Sequence, residues 1–460
     1  MIDKDLLLKI LKKALSCGGE YSDIFVEYKK PVLIQLEDNK VEQVISGTEH
    51  GAGIRVIHKG RSLYAYSNDL SETSLLKAAS EVSRSPQAIA GDSVIDLKTK
   101  IPTVLFDIRL FPEEIPVEKK ISLVRRADRA ARNLDRRIRQ VNVIYSDSIQ
   151  KVLIATSEGA LTEDERVYTQ CVIQVVATDK GIIQTGYESV GGFIGFELFD
   201  EIDIEELSMK ATMRALMMLT ARRAPGGRMP VVISSEAGGT MIHEAIGHGL
   251  EADLAQQGLS VYSNKIGQQV ASPLVTVIDD ATIPQKRGSF RFDDEGTPSQ
   301  KNVLVEKGIL KGYMYDKLTA LKDGLQSSGN GRRQSHQHRP IPRMTNTLIQ
   351  PGEMEPEKII SSTERGLLVK KMGGGQVNTV NGDFVFEVQE GYLIKNGKIE
   401  EPVRGATLTG NGPAILKAID MVGSDLGFSI GTCGKDGQGV PVSDAMPTVR
   451  IPELVVGGEI

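Results

Sequence analysis

Cysteine, net positive charge and long apolar runs are all scarce in this chain, and each scarcity excludes a class of function. Three cysteines in 460 residues, with no repeated spacing among them, cannot build a disulfide framework and suit a reducing compartment. The 55 Lys and Arg against 60 Asp and Glu give a net charge of −5, which supplies no bulk attraction to nucleic acid. No apolar run approaches the length of a membrane span. The opening segment, from Ile2-Asp3-Lys4-Asp5 to Leu11-Lys12-Lys13, carries charges throughout its apolar stretch. It reads as an amphipathic helix, not as a signal peptide. The expectation is a cytoplasmic protein with no membrane or nucleic-acid partner.

At 460 residues the chain is too long for one ordinary core, so two large domains are expected. The best boundary is the segment 221–230, where Pro225 and Pro230 flank Gly226 and Gly227. This divides the chain into 1–225, mixed sheet and helix, and 226–460, rich in β-structure. The class is α+β.

The first part repeats an order of elements. Tyr21-Ser22-Asp23 opens a β-rich stretch, followed by a hairpin over 51–69 and a helix over 72–82. Tyr145-Ser146-Asp147 opens a similar stretch, with a hairpin over 168–186 and a helix over 204–219. The period, roughly 120–130 residues, points to a doubled subdomain, not a solenoid. Between the copies a helix is predicted over 117–138, with Arg125, Arg129, Arg132, Arg136 and Arg139 in one stripe. Asp128 and Asp135 interleave with them, so the stripe reads as a solvated face. Beyond the boundary, strands are predicted at 231–233, 274–278, 304–315, 384–387 and 391–398, with Asn396-Gly397 as a tight turn. Gly373-Gly374-Gly375 has no Gly-Lys-Ser/Thr nearby, so it is no P-loop; a turn or a substrate-facing strand edge fits better.

The chemistry concentrates at His243-Glu244-Ala245-Ile246-Gly247-His248, two of only six histidines around a carboxylate. Histidines four apart lie about 40° from each other on a regular helix, whereas five apart puts them about 140° from each other. A π-bulge restores a common face, and Gly247 makes that distortion cheap. The helix is expected over 240–254 with Thr240 as its N-cap. A core helix with two satisfied histidines is the plain alternative.

A catalytic zinc needs a third protein ligand and an open position. Cys17 sits at a helix end, and Cys171, in Cys-Val-Ile-Gln-Val-Val, reads as a small core residue. Cys433 lies between Gly431-Thr432 and Gly434, where backbone bends closely, and nearby Lys435 would favour its thiolate. It is the best third ligand.

Three segments together carry a resemblance. His243 to Asp253 resembles the active-site helix of the TldD/PmbA metallopeptidases in their TldD-type catalytic branch. Gly331-Arg-Arg-Gln-Ser-His-Gln-His-Arg-Pro to Asn346 and Gly431-Thr-Cys-Gly-Lys-Asp-Gly-Gln-Gly to Val442 continue it, and Tyr64 to Asp69 fits the N-terminal half. The resemblance spans essentially the whole chain. One departure is His336, where an aromatic is expected after Ser335.

The resemblance implies Zn2+ held by His243, His248 and Cys433, with Glu244 as general base. It implies pairing with a sister subunit that lacks the metal motif, a homodimer being the alternative, and action on unfolded peptides. His338 matches the family motif as the substrate-binding oxyanion stabiliser, with Arg343 next. Glu251 and Asp253 read either as partners of the ligand imidazoles or as ordinary helix-end acids. Against the peptidase stands a non-catalytic regulatory or scaffold subunit binding protein or DNA. Such a sister would lack the His-Glu string that this chain keeps. A purely structural zinc would fill four ligands, and no fourth is evident.

Overall fold

The computed structural model describes residues 2–84 and 94–459. Helix α1 (Lys4–Ala14) starts where the Asp3 side chain accepts from the Leu6 N–H, and it buries Leu7, Ile10, Leu11 and Ala14. The charged flank faces water, as the pattern of the segment requires.

Strands β1 (Tyr21–Glu37), β2 (Lys40–Ser46), β3 (Glu49–His58) and β4 (Arg61–Ser67) follow, then α2 (Glu72–Ser83). After the short β5 (Lys98–Thr99) come α3 (Val117–Leu134), β6 (Ile138–Thr156), β7 (Ala160–Asp179), β8 (Ile182–Gly192), α4 (Leu198–Glu201) and α5 (Ile204–Thr220). These strands form one sheet in which β4-β3-β1 continues into β6-β7, with β8 on the far side of β7. β1 and β6 run antiparallel along the centre, from Asp23 opposite Thr156 to Glu37 opposite Asn142. Each copy therefore reads helix, run of strands, helix, with four strands in the first and three in the second; α1 packs on α2 and α3 on α5. Both hairpins turn on a Lys-Gly pair at positive φ, Lys59-Gly60 at 47° and 68° and Lys180-Gly181 at 47° and 83°. That is the backbone a two-residue hairpin demands.

Two details depart from the sequence reading. Tyr21 opens β1, but Tyr145 lies well inside β6, which starts at Ile138, so the shared tripeptide does not mark equivalent points. Helix α3 ends at Leu134, not at Ile138. Asp135 turns extended, and its carboxylate captures both the backbone N–H and the guanidinium of Arg137, which ends the helix. In the arginine stripe, Arg132 is bound to Asp128 and Asp38.

In the second half, the strands Gly227–Ile233, Val449–Gly457, Thr407–Asn411, Asp383–Lys395 and Arg365–Val377 each pair with the next, and the last pairs with the first. They close into a barrel. Beside it lies a second sheet in the order Ile309–Leu310, Lys301–Glu306, Val277–Asp280, Asn346–Ile349, Gln438–Met446, Gly427–Lys435. Asn396-Gly397 forms the expected turn, at φ of 51° and 70°. The stretch 304–315 is not one strand, because Lys307-Gly308 turns the chain at φ of 47° and 83°. The 274–278 strand shifts to Val277–Asp280, since a turn from Ser272 to Val275 precedes it and leaves Leu274 exposed. The glycines 373–375 belong to the strand Arg365–Val377, where its register against Asp383–Lys395 slips.

The two halves meet through buried charge. Arg55 of β3 is paired with Asp23 of β1 and lies 2.7 Å from Glu295, and Arg166 of β7 lies 2.6 Å from Asp294. A carboxylate or guanidinium buried without its partner would be strongly destabilising, so the Arg166–Asp294 pair, with the Arg55–Glu295 contact beside it, fixes how the halves dock, while Asp23 balances Arg55 within its own half.

Candidate metal centre

The histidine segment is wedged between barrel and sheet, with Met241, Ile242, Ala245, Ile246 and Leu250 all in the main core. Its winding changes within a few residues: an α-turn Thr240–Ile242, a π-turn His243–Gly247, then a 3-10 turn His248–Leu250. The inferred extra residue per turn is present, and the imidazole centroids lie 4.9 Å apart at an interplanar angle of 86°. Gly247 has ordinary helical angles (φ −53°, ψ −57°), so it is not there for backbone freedom. A Cβ at that point would strike Met344 Sδ. Thr240 is not the N-cap; Gly239 takes that place and donates its N–H to Ser429 Oγ at 3.1 Å. A side chain on Gly239 would collide with the backbone of Asp444 and Ala445, so glycine lets the helix start sit directly on the sheet.

Cys433 arrives from the sheet. It lies on the hairpin Gly427–Lys435 and Gln438–Met446, turned by Asp436-Gly437 at φ of 50° and 69°. One ligand atom each from His243, His248 and Cys433 lie within 4.8 Å of one another. Cys433 Sγ is 3.7 Å from His248 Nε2. The other nitrogens are occupied: His243 Nδ1 lies 2.7 Å from Asp444 Oδ1, and His248 Nδ1 lies 3.0 Å from Glu251 Oε2. A carboxylate on Nδ1 fixes the ring and leaves Nε2 for a metal. Among the described residues no fourth donor joins these three, which leaves a coordination position open on any metal they hold.

Electrostatics favours the thiolate of Cys433 and, for the two histidines, the protonated ring, which gives up its Nε2 proton when a metal binds. Burial opposes ionisation of Cys433, but hydrogen bonds and charge from His243 and His248 lower its pKa to about 5. The thiolate, which is the metal-binding form, therefore prevails at neutral pH. Burial also opposes charging of His248, yet Glu251 and the thiol raise it to about 10; His243 is raised the same way by Asp444. Glu251, fully buried, is held at about 2, with Lys435 and His248 outweighing its burial. Glu244 lines the same cavity, about 490 Å³, together with both histidines and Cys433. Burial raises its pKa, and among the described residues it makes no side-chain hydrogen bond or ion pair.

Other candidates fall elsewhere. Lys435 does not address the thiolate: its ammonium lies 2.7 Å from Asp253 and 3.1 Å from Glu251. Of the two helix-end acids, Glu251 alone reaches an imidazole. Arg343 is fully buried behind the cysteine, donating to the carbonyls of Cys433 and Gln438. It supports the cysteine strand and does not line the cavity, whereas the sequence reading gave it a place at the substrate. His338, half-buried on Ser335 Oγ at 3.0 Å, does not line the cavity either. Its neighbour His336 is buried, with Nδ1 3.1 Å from Glu27 and Nε2 2.8 Å from Asn68, and stands edge-on to Tyr66. The segments 331–346 and 64–69 thus meet across the two halves.

Asp444 was missed. Cys433 pairs directly with Val440, and side chains alternate, so 440, 442 and 444 share the cysteine's face. That phase, with Asp436-Gly437 as the turn, was the available signal.

Comparison with known proteins is consistent across the chain. Models of PmbA/TldA metallopeptidase domain 1, central domain and C-terminal domain match residues 22–85, 111–219 and 226–458. The chain belongs to the PmbA/TldA metallopeptidase family. A metalloprotease TldD homolog of Haemophilus influenzae is 38% identical over 95% of this chain and 93% of its own. A metalloprotease of Methanocaldococcus jannaschii is 37% identical over 97% and 98%. Among solved structures, TldE from Thermococcus kodakarensis shares the fold, with a TM-score of 0.77 at 18% identity over 99% of each chain. Family membership makes the chain a metallopeptidase, of the TldD type by its closely similar relatives.

Proposed function

We propose that this chain is the zinc-bearing subunit of a cytoplasmic peptidase that hydrolyses extended, unfolded peptides and works as a dimer with a TldE-type sister. His243, His248 and Cys433 hold the metal, and residues 226–460 form the unit that carries them. The observation that carries this reading is the convergence of those three donors with the unpaired carboxylate of Glu244 in one cavity.

Zinc, when bound, supplies the Lewis acidity that makes water a nucleophile near neutral pH. Glu244 takes the proton from the attacking water and returns it to the leaving amine, and its raised pKa suits both tasks. Asp444 and Glu251 keep the two imidazoles aimed. The strand Arg365–Val377 pairs with Gly227–Ile233 only through Leu367 to Val369, and beyond that its edge has no strand partner among the described residues. Gly375, Gln376 and Val377 of that edge line the cavity. An extended peptide added there draws affinity from main-chain hydrogen bonds and tolerates varied side chains. Among the described residues, no helix is long and apolar enough to cross a membrane.

The test is metal analysis of the purified chain, coupled to digestion of an unstructured peptide with and without a TldE-type subunit. About one zinc per chain and chelator-sensitive cleavage are expected. Cleavage that persists after complete metal removal would overturn the reading.

A further inference from the structure

A second cavity, of about 190 Å³, lies between the two halves of the chain. Thr432 and Pro441, opposite each other on the cysteine hairpin, form part of its wall. By strand alternation they face away from Cys433 and Val440, so this cavity backs onto the hairpin from the other side. Its lining brings together Lys29, Arg166, Arg287, Arg332 and Arg333 against a single carboxylate, Asp294.

Two of these cations are already matched. Arg166 pairs with Asp294 at 2.6 Å and Asp164 at 3.2 Å. Arg333 donates to the Asp294 carbonyl and lies 3.6 Å from Asp23. The other three form no ion pair among the described residues. Arg332 is only 4% exposed and gives one N–H of each terminal nitrogen to the carbonyls of Met344 and Pro441, at 2.6 and 2.7 Å, keeping its remaining N–H groups. Arg287 is half-buried, and its guanidinium reaches only the Gly431 carbonyl among the described residues, at 3.2 Å. Lys29 is half-buried on the same wall. Buried cations are ordinarily neutralised by a partner, and a cavity whose surplus is three positive groups wants a negative one. Burial also pulls both Arg287 and Arg332 below the ordinary guanidinium range, with Arg332 adding to the effect on Arg287.

We propose that this cavity binds a small oxyanion, a carboxylate or a phosphate group, between Arg287, Arg332 and Lys29. Guanidinium forks match the paired oxygens of such groups. The volume admits one with a few waters, each of about 30 Å³. Thr432 lines both this cavity and the one at His243, Glu244 and Cys433. The anion is therefore either free inorganic phosphate or the C-terminal carboxylate of a peptide held at the neighbouring cavity; the second source rests on the peptidase reading.

The first arm titrates inorganic phosphate into the full-length protein by calorimetry, at ionic strength matched with chloride. Saturable binding is expected, weakened roughly tenfold or more in Arg287→Gln and in Lys29→Gln, since hydrogen bonds to charged groups are the strong ones. Both variants keep the histidine–cysteine site, so loss of binding localises the anion away from any metal there. The second arm compares one unstructured peptide as its C-terminal acid and its C-terminal amide, on a Glu244→Gln background that prevents turnover. Tighter binding of the acid, abolished by Arg287→Gln, assigns the peptide terminus; equal binding of both alongside phosphate binding assigns the free anion. The first arm stands whether or not the chain cleaves peptides. No saturable phosphate binding together with no preference for the acid, or binding unchanged in both variants, overturns the proposal.

Discussion

His243 Nδ1 lies 2.7 Å from the Asp444 carboxylate although 201 residues separate them in the chain. The helix supplies the ring and the sheet supplies the group that orients it, so the site depends on how these two elements pack. His248 is different: its carboxylate, Glu251, comes from the next turn of the same segment. The pair His243–Asp444 is thus the more sensitive to any shift between helix and sheet.

Asp444→Asn should keep the fold and weaken zinc binding by roughly 10–100-fold, the usual loss when a carboxylate behind a metal-ligating histidine is replaced. Competition against a chromophoric chelator measures it. Affinity equal to wild type would mean that packing alone orients the ring.

Cys433→Ser should lower the zinc content sharply and reduce peptide cleavage with it. The substitution exchanges a soft anionic donor for a neutral hydroxyl in a nearly isosteric side chain, so folding is preserved while the ligand is lost. Elemental analysis after dialysis reads the outcome; full occupancy in the variant removes Cys433 from the site.

How much of this was legible beforehand depended on whether the cause was local. The π-turn followed from a five-residue spacing that no regular helix can use, and Asn396-Gly397 carries its backbone in its residue types. Arg343 and His338 carry no such mark. Their positions are set by which face of a loop packs on the Cys433 hairpin, a long-range outcome, so family pattern alone did not show that Arg343 is buried behind the cysteine. The end of α3 failed for a subtler reason. The apolar period runs on to Ile138, but Asp135 captures Arg137 and the continuing apolar residue is used by a strand instead.

Glu244→Gln should leave zinc bound and cut peptide hydrolysis by about 10²–10⁴-fold, the usual worth of a positioned general base. The amide keeps the size of the side chain but cannot accept the proton. Single-turnover cleavage of a fluorogenic peptide, with metal content checked in the same sample, separates this from ligand loss. Unchanged turnover would show that another group activates the water.

The buried interface between the halves should make stability depend on pH. Burial, with Asp316 and Asp293 adding to it against Arg55, raises the Glu295 carboxyl from 4.5 to about 8, and burial raises Asp293 to about 7. A carboxyl whose folded pKa exceeds its unfolded value holds its proton more tightly when folded. Its contribution is therefore complete below the unfolded pKa and is lost as pH rises through the folded one. Urea midpoints measured from about pH 5 to about pH 9 should fall across that window, and Glu295→Gln should flatten the fall. The glutamine still accepts from the Lys317 N–H, which the native carboxylate does at 2.7 Å. A slope that is unchanged in the variant would place the titrating group elsewhere.

The last expectation concerns what reaches the site. The cavity at Glu244 is walled on one side by an edge at Gly375 to Val377 that has no strand partner among the described residues, and in the proposed binding mode a substrate offers its own main chain to it as a strand. The backbone groups of a folded domain are already paired internally and cannot make that contact without unfolding. The enzyme should therefore cleave unstructured peptides of varied sequence and leave stable globular proteins largely intact. One polypeptide, presented folded and in a permanently unfolded variant at equal concentration with chelator controls, provides the comparison. A rate that tracks the unfolded fraction supports strand-edge binding. Equal rates on both forms would remove the edge from the recognition mechanism while leaving the metal chemistry untouched.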